Sequence, residues 1–529
     1  MRKAALRIFG VFALFFYACA QQVAPTGGTR DETPPEILTI QPPQEQLNYQ
    51  AEPIEIEFDE FISLKQLNQQ LLTSPPLKYD LETTVKGKTL RIEIQDTLKA
   101  NTTYVLNFGD AIVDYRESNP LKDFQYVFST GNVIDTLQLN GRLVDAFTKE
   151  VVKDALVVLY DTSNLDSLPY KQIPKYVSRT NEDGSFKLRN LKEGTYSVFS
   201  LSDENTNYLF DKPDEKVAFL DSAIRLNSKM DSLRLYSFLE DREQQFVKSQ
   251  KESAALNVLV FNRKIDSLTF SFVEKADSTY LLHHEISKGR DSLLLWFEVD
   301  SAYKSDMILA TSFGYVDTIG LKFDTLDNRT LKLIGKPEGK HPYYKAVQLN
   351  FSRPLKTITD SLIQLRKADS TLLAADYEID SLRPQQVIVK HEFETDSTYM
   401  LQLLPGAVND LFGTSHDTLS MQFGLNSAKS YGNLYLTVNY TDSIPLLIQL
   451  LGRDQNVLRQ LQLQDNKASF SNLKAGAYGL KLIVDENRNQ KWDTGDFSKK
   501  RQAEKVFIYE GKITIRANWD QEIEWVIKK

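Results

Sequence analysis

Short runs in which apolar and polar residues alternate recur along most of the chain, and they predict strands rather than helices. Ile54-Glu55-Ile56-Glu57-Phe58 and Leu90-Arg91-Ile92-Glu93-Ile94 have a period of two, the spacing at which one face of a pleated strand meets a core and the other meets water. Val85-Lys86-Gly87-Lys88 reads as the turn before the second run, and Tyr104 to Phe108 and Tyr126 to Thr130 supply two further strands. From Leu137 to Asp221 the rhythm changes. Gly141-Arg142-Leu143-Val144-Asp145, the apolar run Ala155 to Tyr160, the turn Asn181-Glu182-Asp183-Gly184 before Phe186, and Leu191 to Val198 make a strand–turn series. In the centre, Leu256 to Phe261, Leu268 to Phe272 and Leu293 to Phe297 predict another sandwich, entered by the charged stretch Leu235 to Lys251. There Glu240-Asp241-Arg242-Glu243 predicts a helix or an ordered linker.

The pattern then repeats. Asn190-Leu191-Lys192-Glu193-Gly194-Thr195-Tyr196 recurs as Asn472-Leu473-Lys474-Ala475-Gly476-Ala477-Tyr478, each followed by an acidic loop. Upstream, Glu57-Phe58 matches Asn350-Phe351, Thr103-Tyr104 matches Thr398-Tyr399, Ala111 to Asp114 matches Ala407 to Asp410, and Val127-Phe128 matches Gln422-Phe423. A duplicated pair of sandwiches on either side of an unpaired centre accounts for all of these.

The N-terminus breaks the β rhythm. Met1-Arg2-Lys3 and Arg7 are positive, Ile8 to Tyr17 is apolar, and Ala18-Cys19 closes the run, which is the three-part plan of a secretory signal. The run is too short to span a bilayer, and no later run approaches that length, so the mature chain is expected to be soluble and tethered. Gln, Thr, Pro and Gly then dominate up to Pro35, as in a flexible stalk.

Composition narrows the picture. A mature length of about 500 residues predicts several domains, and 24 Tyr and 29 Phe against 5 Met favour strands. Cys19 is the only cysteine, so each domain must be stable on its packed core alone. A net charge of −8 with no long Lys/Arg run argues against nucleic acid as a partner.

Ala18-Cys19 at the end of the apolar run resembles the lipobox of a bacterial lipoprotein, which implies acylation of Cys19 and, with Ala20 following, an outer-membrane anchor on either its periplasmic or its surface face. Thr33-Pro34-Pro35, Ile56 to Asp59, Asn101 to Tyr104 and Phe128 to Gly131 resemble the bacterial Ig-like domains that open Bacteroidota lipoproteins. The series from Gly141 to Val198 resembles the carboxypeptidase regulatory-like, transthyretin-like sandwich, whose usual part is to support a neighbour. The expected fold class is therefore all-β: tandem β-sandwich domains, Ig-like and transthyretin-like, behind a lipoprotein signal peptide. The expected order is signal 1–18, tether 19–35, Ig-like 36–131, transthyretin-like 136–222, linker plus β-sandwich 230–340, second Ig-like 341–426 and second transthyretin-like 430–529.

The acidic loops carry the candidate chemistry. Asp485, Asn487, Asn489, Asp493 and Asp496, with the backbone carbonyl of Lys491, have the spacing with which an EF-hand-like loop wraps one Ca2+. Asp203, Asn205, Asn207, Asp211 and Asp214 repeat the spacing less favourably. The sixth position, glycine in such loops, is Gln490 in one and Tyr208 in the other, and the metal-free alternative is a hairpin held by Asx turns. The histidines, His283, His284, His341, His391 and His416, have no nucleophile-elbow or metal spacing.

Three functions from different classes follow. The first is a non-enzymatic structural or accessory subunit of an outer-membrane complex, docked on a β-barrel protein of assembly or transport machinery, as resemblance to multi-domain lipoproteins implies. The second is a glycan-binding surface lipoprotein, with Trp492, Trp519 and Trp525 as candidate platforms. The third is a hydrolase whose site no motif reveals.

Overall fold

The computed structural model describes residues 31–161, 168–242, 244–253, 255–299, 301–311, 314–324 and 330–527. The signal segment, Cys19 and the tether up to residue 30 lie outside the described residues. The regular secondary structure of the described chain is almost entirely strand, and none of its helices is long and apolar enough to cross a membrane. It divides into two compact units, 1–145 with 150–239 and 146–149 with 240–529.

Unit 1 opens with β1 (Ile37–Gln41), β2 (Ile54–Phe58), β3 (Ile62–Leu64), the one-turn helix α1 (Leu67–Gln70), β4 (Leu72–Ser74), β5 (Glu82–Lys86), β6 (Thr89–Glu93), β7 (Thr103–Asn107), β8 (Ile112–Asp114) and β9 (Gln125–Ser129). They form the sheets β1-β2-β6-β5, β4-β7-β9 and β3-β8. The period of two does what it predicts: Ile54, Ile56 and Phe58 of β2 and Leu90 and Ile92 of β6 are completely buried. Tyr104 stacks on Phe128 at 5.3 Å between ring centroids, and its hydroxyl accepts the Lys99 N–H at 2.9 Å, pinning the turn before β7. Asp114, at the end of β8 and 1% exposed, accepts the N–H groups of Arg116, Glu117, Ser118 and Asn119.

The second sandwich of unit 1 comprises β10 (Leu137–Asp145), β11 (Leu156–Asp161), β12 (Tyr176–Arg179), β13 (Ser185–Leu191), β14 (Gly194–Leu201), β15 (Lys216–Phe219), β16 (Ile224–Leu226) and β17 (Met230–Leu239). Its strand order is β12-β11-β14-β15-β17-β10-β13, with β16 on β14. The stretch assigned above to the start of the centre is thus the last strand of this sandwich. Met230 to Leu239 runs parallel to β10 and buries Leu235, Ser237 and Phe238 while turning Arg234 and Tyr236 outward. Among the described residues no helix forms between Leu235 and Lys251; Glu240, Asp241 and Arg242 lie in the connection that follows β17, with Glu240 buried at 6% exposure. The close parallel approach explains Gly141, where a Cβ would stand 2.3 Å from the Leu233 carbonyl oxygen.

Unit 2 begins with the central sandwich, β18 (Val247–Ser253), β19 (Leu256–Phe261), β20 (Leu268–Phe272), β21 (Leu281–Ile286), β22 (Ser292–Phe297), β23 (Tyr303–Thr311) and β24 (Val316–Phe323), in the sheets β18-β19-β22-β21 and β20-β23-β24. Then come β25 (Leu333–Gly335), β26 (Gly339–Pro342), β27 (Val347–Phe351), β28 (Leu355–Ile358), β29 (Ile363–Lys367), β30 (Leu372–Leu373), β31 (Asp376–Ile379), β32 (Gln386–Lys390), β33 (Thr398–Leu403), β34 (Val408–Asp410) and β35 (Leu419–Asn426). The last sandwich holds β36 (Tyr431–Asn439), β37 (Leu446–Leu451), β38 (Val457–Gln462), β39 (Lys467–Lys474), β40 (Gly476–Val484), β41 (Val506–Ile508), β42 (Ile513–Ile515) and β43 (Asp520–Val526).

Pairing order reproduces the duplication. The sheet β25-β27-β32-β31 repeats β1-β2-β6-β5, and β28-β34 repeats β3-β8. The sheet β35-β33-β29, extended by β26 and β30, repeats β9-β7-β4. Tyr399 stacks on Phe423 at 5.8 Å and accepts the Glu394 N–H at 2.7 Å, as Tyr104 does with Phe128 and Lys99. Asp410 is fully buried like Asp114, accepts the N–H groups of Phe412 and Thr414, and meets Arg353 Nε at 2.6 Å. In the last sandwich β36 pairs antiparallel with β39 and parallel with β43, as β10 does with β13 and β17.

Two substitutions test this packing. Phe423→Ala removes a ring from the completely packed core and is expected to cost about 3–5 kcal/mol. Gly141→Ala forces β10 from β17 and is expected to lower the melting temperature of unit 1 selectively. Both are read by thermal denaturation of the full chain beside a surface control such as Lys356→Ala.

Candidate functional site

The two acidic loops follow equivalent strands, β14 and β40, and are built by the same hydrogen bonds. Asp485, 1% exposed at the end of β40, accepts the N–H groups of Asn489 and Gln490, each at 3.0 Å. Asp203 does the same for Asn207 and Tyr208, at 3.3 and 2.7 Å. The carboxamides of Asn487 and Asn489 both reach Asp493 Oδ2 at 2.6 Å, and those of Asn205 and Asn207 reach Asp211 at 3.2 and 2.8 Å. Asn489 Oδ1 accepts the Lys491 N–H, and Asn207 Oδ1 accepts the Leu209 N–H. These are Asx turns, the arrangement by which short amide and carboxylate side chains organise backbone without a ligand. The sixth position takes a left-handed backbone even without glycine, with φ 61 at both Tyr208 and Gln490.

The first, third, fifth and ninth positions of each loop therefore come together. The twelfth does not. Asp214 is exposed, and Asp496 bonds Ser498 Oγ at 2.6 Å and Lys499 Nζ at 2.9 Å. The group that closes each loop is one that the spacing argument missed. Glu215 Oε2 accepts the N–H groups of Asp211 and Lys212, and Glu504 accepts those of Glu486 and Asp493. Both glutamates are buried, at 1% and 7% exposure, and both open a Glu-Lys-Val step into the next strand. That tripeptide was the available signal. An insertion containing Asp496 separates Glu504 from its loop, which is why counting from Asp485 did not reach it. Burial, with the carboxylates of Asp493 and Asp485 nearby, pushes the Glu504 carboxyl up against the two N–H bonds that favour its charge. Lys491 sends its ammonium to Asp266 at 2.9 Å. Among the described residues no group of three or more His, Cys, Asp or Glu side chains is placed to hold a metal.

The tryptophans separate. Trp492 packs on Phe147 at 4.7 Å between ring centroids and donates Nε1–H to the Glu504 carbonyl at 3.0 Å, so its ring serves packing. Trp525 is in the core at 8% exposure, whereas Trp519, just before β43, is 62% exposed. The two do not share an exposed face. Of the histidines, His416 is buried at 2% exposure with Nδ1 on the Asp417 carbonyl, and His283 and His284 lie on β21.

A family model described as bacterial Ig-like domain matches residues 31–130, the segment that holds β1 to β9. No curated protein matches the chain. Among solved structures, the chain is similar to the major pilin subunit BcpA of Bacillus cereus, at 10% identity and a TM-score of 0.14, covering 74% of this chain and 99% of that one. The Bacillus anthracis TIE protein aligns at 12% identity and 0.13, covering 95% and 76%. The Bacteroides ovatus mixed-linkage glucan utilization locus protein SGBP-B, in complex with a heptasaccharide, aligns at 8% and 0.19, covering 71% and 94%. None of these alignments assigns an activity to this chain.

Asp496 gives the insertion a pH signature. Burial opposes its ionisation, but hydrogen bonds from Lys499 and Ser498 outweigh it and hold the carboxyl at about 2, below its usual 3.8. A depressed carboxylate stabilises the fold above its unfolded value and loses that contribution as pH falls through its folded value. Thermal denaturation between pH 5 and pH 2 is therefore expected to show a shallower loss of stability for Asp496→Ala than for the parent. Equal slopes would remove this role.

Proposed function

We propose that this chain is a non-enzymatic outer-membrane lipoprotein, acylated at Cys19, that acts as a structural or accessory subunit of an outer-membrane protein complex and docks on a β-barrel partner. The Bacteroidota-type lipoprotein plan and the carboxypeptidase regulatory-like, transthyretin-like character of β10–β17 and β36–β43 belong to this proposal. The observation that carries it is the duplication of a whole two-sandwich module in the same pairing order, with its loop carboxylates engaged in holding their own backbone. Duplicating a stable module lengthens a scaffold and multiplies docking faces. An acyl anchor would bring those faces to a membrane-embedded partner, and one thioether-linked diacyl group plus an amide-linked chain suffices for stable attachment.

Two measurements test it. Cys19→Ala is expected to move the protein from the membrane to the soluble fraction and to abolish labelling by an alkyne fatty acid. Mild-detergent purification of the tagged parent is expected to recover a β-barrel protein in stoichiometric amount after a salt wash. Recovery of the chain alone would sink the accessory-subunit reading while leaving the anchor intact.

For the second loop we also propose a structural Ca2+, bound by Asp485, Asn487, Asn489, Asp493 and the Lys491 carbonyl, with Asp496 left outside the set. The supporting observation is the convergence of the Asn487 and Asn489 side chains on Asp493 beside the buried Glu504. Calcium is expected to raise the melting temperature by a few degrees relative to EGTA, and Asp493→Ala to abolish the rise. An unchanged melting temperature would retire the metal and leave the Asx turns as the full account.

A further inference from the structure

An open groove of about 1150 Å³ lies over the outer face of the sheet β39-β36-β43. Register places its side chains in two rows. Ser469, Tyr435 and Glu522 lie abreast in the first, and Lys467, Thr437 and Glu524 in the second. Neighbours across such rows stand about 5 Å apart. Tyr435 is the centre of the surface, 42% exposed, and Gln462 and Gln464 form one wall. Tyr435, Thr437, Ser469 and Glu522 make no side-chain hydrogen bond to another described residue, while Glu524 accepts one from Asn439.

The duplicate shows that this surface is a departure rather than a requirement of the fold. Leu137 pairs with Leu191 as Gly432 pairs with Leu473, so Asn140 occupies in the first copy the place of Tyr435 in the second. There Asn140 donates to Asp231 at 2.6 Å, and its neighbour Arg142 meets Asp183 at 3.3 Å. Polar groups that face each other in one copy are replaced in the other by a phenol ring amid groups with open donor and acceptor capacity.

We infer that this face binds a neutral oligosaccharide. A sheet face presents side chains and no unpaired backbone ladder, so strand addition is not the mode of recognition. An exposed aromatic ring offers an apolar face for the C–H side of a sugar ring, and hydroxyl, carboxamide, ammonium and carboxylate groups around it match the mixed donors and acceptors of sugar hydroxyls. Glu522 and Glu524 outnumber the Lys467 ammonium on this face and disfavour anionic polymers such as uronic-acid chains and nucleic acid. The volume exceeds that of an ordinary small-molecule pocket and suits several sugar units.

Isothermal titration of the full chain in mild detergent with cellohexaose, mannohexaose and xylohexaose, and with a galacturonic acid hexamer as the anionic comparison, tests the assignment. At least one neutral hexasaccharide is expected to bind at micromolar to millimolar concentration and the galacturonate more weakly. Tyr435→Ala is expected to weaken binding about tenfold or more, and Tyr435→Phe to keep it within about threefold. Tyr435 is half exposed, so an unchanged melting temperature for both variants separates lost recognition from lost folding. Absence of binding to all three neutral hexasaccharides, preference for the galacturonate, or full binding by Tyr435→Ala would each overturn the inference.

Discussion

A carboxylate accepting backbone N–H groups is the interaction on which the loops of this chain depend. With a single cysteine no disulfide can clamp a turn, so the long connections are fastened from within. Asp114, Asp410, Asp203, Asp485, Glu215 and Glu504 each take two or more N–H groups that would otherwise lie unpaired near a core. Charge-assisted bonds of this kind are about twice as strong as neutral ones. They also fix where the next strand starts, and through it the register of the sheet.

This explains what could be read from sequence and what could not. Strands such as β2 and β6 were legible because alternation is a local property, and the duplication was legible because Asn-Leu-Lys and the loop acids recur at matching places. The Ig-like character of the first segment was legible in the same way and agrees with the family match over 31–130. Strand β17 was misread because its partner, β10, begins some ninety residues earlier; only that pairing makes Leu235 to Leu239, the start of the stretch read as a charged entry to the centre, the end of a strand. Glu504 was missed because an insertion moved it along the chain while leaving it in place in space. Tyr435 drew no attention because its surroundings come from three strands whose register no local pattern encodes.

The two copies have kept their frame and exchanged their surfaces. Tyr104 and Tyr399 hold equivalent turns and stack on equivalent phenylalanines, Phe128 and Phe423, and the loop carboxylates keep their backbone partners. On the outer face of the sheet, as at Asn140 and Tyr435, the copies differ. Cores and turn fastenings set stability, whereas exposed positions on a rigid sheet are free to acquire recognition.

The parallel pairing of the first and last strands in the second sandwich of unit 1 has a mechanical consequence. Force applied to the ends of that domain enters at Leu137 and leaves at Leu239, pulling β10 and β17 along their length in opposite directions. All the bonds between them are loaded at once, in shear, instead of parting one after another as in a peeled hairpin. A domain so strung resists extension through its rate of unfolding rather than through its equilibrium stability. The last sandwich, with β36 beside β43, carries the same clamp.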